Sequence, residues 1–246
     1  MRAKTPESAA VTHCEFVRAI GRILKARECE VWIGDSAGGA IAGIAPTAHA
    51  MDVAGYSTVA TQEGFSIKNF EREGSRQVSP ADALDRVYHL AAPLFHADLV
   101  INLPKLKTHS SGTFTGATKN LFGSVPGLRK AEYHRIAPNT HDFGAVIADI
   151  NFCVKPALHI MDGIVAMQGK GPTAGKPFAA KKILMSTDAL ALDKVACSML
   201  GLRIEELPIF DSSRERGLGE WRLEQIRLLG GWPNRLACVG LTCPER

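Results

Sequence analysis

The stretch that decides the fold reads INLPKLKTHSSGTFTGATKNLFGSVPG and occupies residues 101–127. It continues the apolar run DLVINL at residues 98–103, which predicts a buried strand that Pro104 ends. Cationic and hydroxyl-bearing side chains follow directly. Because open α/β sheets bind ligands beyond the carboxyl ends of their strands, this segment predicts a site for a small anionic ligand. A polar surface loop with solvated lysines is the alternative interpretation.

Strands and helices alternate along the rest of the chain. This alternation is typical of an α/β fold with a mostly parallel open sheet and helices on both faces. Without an internal repeat or a linker, we expect one domain over residues 1–246. Periodicity and capping residues predict helices at 12–27, 46–54, 114–122, 142–154 and 189–200, strands at 30–34, 65–70, 98–103, 157–161 and 182–186, and loop at 71–86.

Polar residues follow four of the predicted strands. Asp35 comes after VWIG, Lys105 and Lys107 after VINLP, Asp162 after LHIM, and Asp188 after ILMST. Because the carboxyl ends of parallel strands share one edge, we expect these side chains to converge. Asp188 also has the pattern of a helix N-cap.

The ligand-binding candidates share a capacity to attract or orient an anion. Lysines would hold carboxylate or phosphate groups, and hydroxyl and amide groups would orient the ligand. These candidates are Lys105, Lys107, Lys119, Thr108, Ser110 and Asn120.

Two side chains are candidates for catalysis. His109 is the acid–base candidate, because imidazole titrates near neutral pH, and a structural histidine is the alternative. Asp162 is the second catalytic candidate. Asp35 and Asp162 are also candidate ligands for a divalent metal, since carboxylate oxygens bind such cations.

A glycine-rich segment at residues 168–172, QGKGP, is a second candidate for anion contact. Gly169 and Gly171 would let backbone N–H groups approach the ligand. A surface turn that uses glycine for positive φ is the alternative.

Composition limits the classes of function. The chain has 246 residues and a net charge of only +4, with scattered lysines and arginines, so nucleic-acid binding is not indicated. No apolar run approaches the roughly 18 residues of a membrane span, and the N-terminus lacks a signal-peptide pattern. We therefore expect a cytoplasmic protein without a membrane contact.

The cysteines do not have the spacing of a cluster or zinc motif. None of the six forms a CxxC pair, and Cys238 and Cys243 are five residues apart. We therefore expect no iron–sulfur cluster on this chain and read the cysteines as free thiols. A metal-binding or redox pair formed by Cys238 and Cys243 is the alternative.

Several motifs resemble those of the DUF362 family of bacterial and archaeal proteins. LPKLKTH and TGATKNLFGSVPG are followed by MDGIVAMQGKGPTAGKP at 161–177, STDALALDKVA at 186–196 and RGLGE at 216–220. The resemblance covers about residues 11–230. The family is largely uncharacterised, but many members carry a ferredoxin-like domain with two cysteine-rich cluster motifs. The resemblance therefore implies redox work.

The chain departs from this family pattern at both ends. It lacks the usual first strand with a Lys-Pro-Asn motif, and it lacks the ferredoxin motifs, so we expect a short variant or a truncated gene product. Three hypotheses remain for its function. The chain is the substrate-binding part of a redox system with a ferredoxin-like partner, a metal-assisted non-redox enzyme on an anionic substrate, or a binding module without chemistry.

Overall fold

The computed structural model describes residues 3–38, 46–83, 85–109 and 113–230. The helices are α1 (Cys14–Lys25), α2 (Thr47–Val53), α3 (Tyr56–Glu63), α4 (Ala117–Asn120), α5 (Gly127–Ile136), α6 (Thr140–Val154), α7 (Ala189–Met199) and α8 (Asp211–Glu215). The strands are β1 (Trp32–Asp35), β2 (Ser66–Asn69), β3 (Ser75–Val78), β4 (Tyr88–Ala91), β5 (Ile101–Asn102), β6 (Lys105–His109), β7 (Thr113–Thr115), β8 (Leu158–Gln168), β9 (Lys176–Phe178) and β10 (Lys182–Ser186).

The largest sheet has six strands and is organised around β8. Strands β5 and β6 pair with β8 in parallel, whereas β9 and β10 pair with it antiparallel, and β7 runs antiparallel to β6. Two parallel β1–β2 strands and an antiparallel β3–β4 pair form separate small sheets. The α/β class is confirmed, but the large sheet is mixed rather than mostly parallel. Short connections, such as that between β6 and β7, allow only antiparallel pairing. Helices on both faces stay a prediction.

The strand before Pro104 is shorter than predicted, and the extended chain resumes after it. Only Ile101–Asn102 pairs with β8, and the polar segment Lys105–His109 forms the next strand along β8. Pro104 contributes no N–H group, but its carbonyl accepts a hydrogen bond from the Asp162 N–H at 2.9 Å. The strand before Pro104 therefore ends where it was predicted to end, but a second strand begins directly after Pro104, so the candidate lysines lie within the sheet and not beyond its edge.

Other element boundaries also differ from the prediction. Residues 113–115 continue the sheet as β7, so the helix predicted at 114–122 shrinks to Ala117–Asn120 and a 3₁₀ turn at Leu121–Ser124. Strand β8 runs through Asp162 instead of ending there. The structure adds α3, α5 and the β3–β4 pair. Local patterns did not indicate these elements because they are short and contain few apolar residues.

The start of α1 shows how tertiary contacts change a predicted cap. Thr12 and Glu15 have the spacing of a capping box, which predicts Thr12 as the cap of this helix, but the Thr12 hydroxyl donates a hydrogen bond to the Leu103 carbonyl at 2.7 Å. The cap is His13, whose side chain accepts from the Glu15 N–H. The segment before α1 is thereby held against the turn between β5 and β6.

The main hydrophobic core lies between the six-stranded sheet and helices α6 and α7. Leu106, Phe114, Ile147, Met161 and Leu190 are fully buried there. Burial of each such side chain contributes about 1.5–3 kcal/mol. Helix α7 begins at the predicted cap, where the Asp188 carboxylate accepts from the Ala191 N–H at 2.9 Å. The core therefore fixes β6, which carries the candidate lysines.

Candidate functional site

A cleft of about 670 Å³, lined by apolar and polar residues, lies beside β1, the residues before α1, β5, β6 and the turn after α4. Its volume is in the range of about 300–1,000 Å³ that is usual for small-molecule sites. Asp35, Tyr56, Lys105, Lys107 and Asn120 contribute to its lining. Four of these five residues were predicted from the sequence as site residues, and Tyr56 was not.

Lys105 and Asp162 form an ion pair between neighbouring strands. Lys105 Nζ lies 2.7 Å from Asp162 Oδ2, and both side chains are almost fully buried. The carboxylate also accepts hydrogen bonds from the His13 N–H at 3.0 Å and the Ile164 N–H at 3.2 Å. Three donors therefore occupy Asp162, an arrangement that favours a structural anchor. Its catalytic and metal-binding roles stay predictions.

Lys107 lies two residues after Lys105 on β6 and also lines the cleft. Its Nζ donates a hydrogen bond to the Ala10 carbonyl at 2.6 Å. Burial lowers the pKa of Lys107 to about 7, with further lowering by the charges of Lys119 and Lys105 and a partly opposing effect of Asp35. A substantial fraction of this lysine is therefore an uncharged amine at neutral pH.

Two further lysines are coupled electrostatically to residues of the cleft, Lys119 to Lys107 and Lys130 to Asp35. Burial lowers the pKa of Lys119 to about 8 and that of Lys130 to about 8, although Asp35 and Glu71 oppose the shift of Lys130. Lys130 Nζ donates to the Ser36 carbonyl. Within the described part of the chain, Lys119 makes no hydrogen bond or ion pair. Lys130 was not predicted from the sequence, because a single lysine in α5 carries no motif.

Asp35 ends β1 and faces the cleft. Its Oδ1 accepts the Ser36 N–H at 2.7 Å. Burial raises the pKa of Asp35, and the charges of Lys130 and Lys107 counteract this effect. Asp35 is an exposed residue and contributes to the lining of the cleft. The predicted convergence of Asp35 with the β6 lysines is therefore present, while its role as a metal ligand stays a prediction.

His109 lies at the end of β6 among positive charges. Burial lowers its pKa to about 3, helped by Lys119, Lys107 and His134. The imidazole is therefore neutral at physiological pH and a weak proton acceptor, which does not favour the predicted acid–base role. That role stays a prediction. His134 itself stacks on Phe143 with ring centroids 4.4 Å apart.

The glycine-rich segment packs directly against β6. Thr108 Oγ1 donates to the Gly169 carbonyl at 2.8 Å, so Thr108 is turned toward this segment. Gly169 has a φ of 78°, and a Cβ atom on Gly171 would collide with the Thr108 carbonyl. Packing and backbone conformation thus require both glycines. The predicted contacts of Thr108, Gly169 and Gly171 with a ligand are untested.

Asn120 is held at the cleft by a buried amide network. Its Nδ2 donates to Asn102 Oδ1 at 2.7 Å, and Asn102 Nδ2 donates to the Ala117 carbonyl at 2.8 Å. These bonds join α4 to β5, which the sequence did not indicate. Ser110, Cys238 and Cys243 lie outside the described residues.

The first glycine of TGATKNLFGSVPG makes room for a carboxylate that caps α4. A Cβ atom on Gly116 would lie less than 3.0 Å from Asp193 Oδ1. Asp193 accepts the N–H groups of Ala117 at 2.6 Å and Thr118 at 3.0 Å. Burial raises the pKa of Asp193 to about 6, although these hydrogen bonds counteract the effect. This glycine is therefore required by packing and not by ligand contact.

The later glycines of the motif lie against two other carboxylates. A Cβ atom on Gly123 would lie 2.5 Å from Asp35 Oδ1, and one on Gly127 would collide with Glu71 Oε1. Gly123 therefore determines how closely the turn after α4 approaches Asp35. The part of TGATKNLFGSVPG around Gly123 therefore packs closely against Asp35 at the wall of the cleft.

The RGLGE motif closes around the cap of α7. The Glu220 N–H donates to Asp188 Oδ2 at 2.7 Å, and a Cβ atom on Gly219 would collide with the same carboxylate. Asp188 therefore accepts hydrogen bonds from two backbone segments, the first turn of α7 and the RGLGE motif. Its position away from the cleft explains why it does not join Asp35 and Lys107.

Fold and site together define an α/β protein with a cleft beside its largest sheet that Lys105, Lys107 and Asp35 help to line. The chain belongs to the DUF362 family, because the family model described as "Domain of unknown function (DUF362)" matches residues 1–198. It is 33% identical over 215 residues to the thylakoid-associated protein sll1697 of Synechocystis sp. (strain ATCC 27184 / PCC 6803 / Kazusa). The match covers 87% of this chain and 64% of that relative, less than two thirds of its length. No solved structure matches the chain.

The described residues lack two features that bear on metals and membranes. Residues 3–38, 46–83, 85–109 and 113–230 contain no group of three or more His, Cys, Asp or Glu side chains that could hold a metal ion. Over the same ranges, no helix combines the length and apolar character that crossing a bilayer requires. The cytoplasmic location stays a prediction.

Proposed function

We propose that the cleft binds a small anionic ligand as the substrate-binding part of a redox system that receives electrons from a separate iron–sulfur protein. The observation that carries the binding proposal is an excess of buried positive charge. Lys105 is paired with Asp162, whereas Lys107 and Lys130 lie within electrostatic range of Asp35, and Lys119 lies within electrostatic range of Lys107. A carboxylate or phosphate group in the cleft would supply the missing negative charge.

Electrostatics within the cleft favour an anion over a cation or a neutral ligand. Burial lowers the pKa values of Lys107 and Lys119, and the charge of Lys119 lowers that of Lys107 further, so the charged forms of these lysines are disfavoured in the empty cleft. A bound anion would favour those charged forms and would raise both pKa values. Binding energy is therefore available to a ligand with one or two negative groups.

The redox part of the proposal depends on family membership. The residues described at the cleft carry lysines and a carboxylate, which do not transfer electrons, so the proposal assigns the electron source to a separate iron–sulfur protein. Many proteins that this chain resembles carry a ferredoxin-like domain. A reduced low-potential ferredoxin is therefore the partner to test, with anion-dependent oxidation of that ferredoxin as the expected result.

Anion binding is tested by calorimetry and thermal unfolding with phosphate, oxalate and citrate. We expect at least one of these anions to bind and to raise the Tm. Lys119→Met should weaken binding by about tenfold or more, because a charge-assisted contact contributes about 1.5–3 kcal/mol, and Lys119→Arg should retain most of it. Lys176→Met removes an exposed lysine of β9 and is the matched control. Absence of binding by every anion, with a folded protein, contradicts the proposal.

A metal-assisted, non-redox reaction on an anionic substrate is the second candidate. The observation that favours it is the position of Asp35, whose carboxylate faces the cleft and is not held by a direct ion pair within the described residues. Titration with Mg²⁺ and Mn²⁺ in the presence of citrate would test it. Metal binding that is lost in Asp35→Asn would support this candidate, and equal anion affinity with and without metal would contradict it.

A further inference from the structure

We infer that the open edge of β10 pairs with β10 of a second copy of this chain, so that the six-stranded sheets of the two copies join into one continuous sheet. This inference goes beyond the proposed function and does not depend on the cleft. Its starting point is the position of β10 at one end of the strand order β10–β8–β6–β7. Over the described residues, β10 pairs with β8 alone, so its other edge is left without a neighbouring strand.

The sequence of β10 does not have the residues that usually prevent an edge strand from pairing with another chain. An edge strand presents unpaired N–H and C=O groups, and proteins commonly protect such an edge with proline or with charged side chains. The strand reads KILMS, has no proline and carries its one charged residue at the first position. Residues 183–186 therefore form an uncharged edge that can accept a further strand.

Apolar side chains are exposed along this strand. Ile183 is 56% exposed and Met185 is 67% exposed, and they share one face of β10 because side chains alternate along a strand. Ile183 lies opposite Asp162 of β8, so Ile164, two residues further along β8 and 45% exposed, lies on the same face. Among the described residues, four of the nine exposed large apolar side chains belong to β8 and β10. This concentration is typical of a contact surface.

The sequence of β10 is complementary to itself in antiparallel pairing. A two-fold axis at Leu184, the middle residue of the strand, places Ile183 opposite Met185 of the partner subunit. The same register places Lys182 opposite Ser186 of the partner subunit. A two-fold dimer uses one surface patch on both subunits, and it is the commonest form of protein oligomer. Each exposed apolar side chain of β10 would therefore meet another apolar side chain across the axis.

The charges beside β10 are compatible with a second copy in this register. Lys181 would face Thr187 of the partner subunit, and Lys182 would face the partner's Ser186, so no two like charges lie opposite each other. Four residues would separate the two copies of Lys182 along the strands, a distance of about 14 Å. This distance exceeds the Debye length of about 8 Å at physiological ionic strength. Parallel pairing in register would instead place the lysines opposite each other, which is unfavourable.

The dimer would leave the cleft accessible in each copy. Strand β8 lies between β10 and the strands β5 and β6, which border the cleft. Anion binding and dimerisation therefore involve different edges of the sheet. Failure of this inference leaves the proposed function untouched, and the reverse also holds.

Analytical ultracentrifugation of the full chain tests this inference. Because small interfaces bind weakly, the protein is measured from about 5 to 500 µM. We expect the mass to rise with concentration from 26.5 kDa toward twice that value. Ile183→Lys removes two symmetry-related cross-strand pairs and should raise the Kd of the dimer by about tenfold or more. Ile136→Lys changes an isoleucine of α5 that is 55% exposed and is the matched control, with no expected effect on the Kd.

Two results of this experiment would overturn the inference. The first is a chain that stays monomeric over the whole concentration range. The second is a dimer that forms equally well with Ile183→Lys, because another surface would then hold the two copies together.

Cysteine cross-linking tests the register and remains decisive if the lysine variant does not fold. Chains with Ile183→Cys are mixed with chains with Met185→Cys, oxidised mildly and examined for cross-linked dimers. Facing residues have Cβ atoms about 4.5–5.5 Å apart, whereas diagonal neighbours are about 7–8 Å apart, so we expect the mixture to cross-link more than either variant alone. The unaltered chain controls for its own cysteines. Equal cross-linking of the mixture and the single variants, or none above the unaltered chain, would contradict the pairing of β10 with its copy.

Discussion

Lys105 Nζ and Asp162 Oδ2 lie 2.7 Å apart across the β6–β8 pair, and almost no part of either side chain is exposed. The carboxylate also receives the N–H group of His13. One ion pair therefore connects the central strand, the strand that carries the cleft lysines, and the segment that leads into α1. This connection distinguishes Lys105 from Lys107, whose Nζ donates to the Ala10 carbonyl.

Removal of one partner of this pair should destabilise the protein strongly. Asp162→Asn leaves Lys105 charged and buried without a counter-ion, so we expect a loss of about 3–5 kcal/mol in the free energy of unfolding, measured by urea denaturation. The exposed pair of Arg129 and Glu132 provides the control, and Glu132→Gln should cost less than about 1 kcal/mol. Equal effects of both substitutions would contradict a structural role for the buried pair.

Lys107 should make stability depend on pH. Its pKa is about 7 in the folded protein, against an ordinary lysine value of 10.5 in the unfolded chain. The unfolded chain therefore binds more protons between these values, and stability rises with pH there. We expect Lys107→Met to reduce this slope between pH 7 and 9 by up to about 1.4 kcal/mol per pH unit, measured by urea unfolding at several pH values. Lys176→Met, which changes an exposed lysine, should leave the slope unaltered.

Anion binding should be coupled to proton uptake. A bound anion favours the charged forms of Lys107 and Lys119, whose pKa values are about 7 and about 8 in the free protein. We therefore expect a net uptake of protons at pH 8, measured by calorimetry of oxalate binding in buffers with different ionisation enthalpies. Lys107→Arg, which stays protonated, should reduce the uptake. Binding without proton uptake would show that the anion lies away from these lysines.

Gly123 should be more important for ligand binding than for folding. Alanine at this position places a Cβ atom 2.5 Å from Asp35 Oδ1, so the carboxylate or the turn must move. We expect Gly123→Ala to weaken oxalate binding with a smaller loss of stability. Gly116→Ala is the comparison, because it displaces the Asp193 cap of α4 and should mainly lower the Tm. A normal affinity in Gly123→Ala would show that Asp35 does not shape the site.

The sequence predicted approximately where the site lies, but it did not predict the strand pairing and burial that form the site. Asp35 and Lys107 could be anticipated because each lies near the end of an apolar run, and the structure brings them within electrostatic range. The continuation of the sheet past Pro104 could not be anticipated, since it depends on pairing with β8, a strand more than fifty residues later in the chain. The burial of His109 and Lys130 also arises from tertiary packing, and no local sequence pattern predicts it.

Strand β8 pairs with β5, β6, β9 and β10 and therefore carries most of the large sheet. Its first half meets β5 and β10, and its second half meets β6 and β9. Opening of β8 would release all four neighbours together, so its amide hydrogens should exchange with solvent only when the whole domain unfolds. Lys105 and Lys107 lie on β6, which pairs with β8, so they should be held on the part of the sheet whose amide hydrogens exchange most slowly.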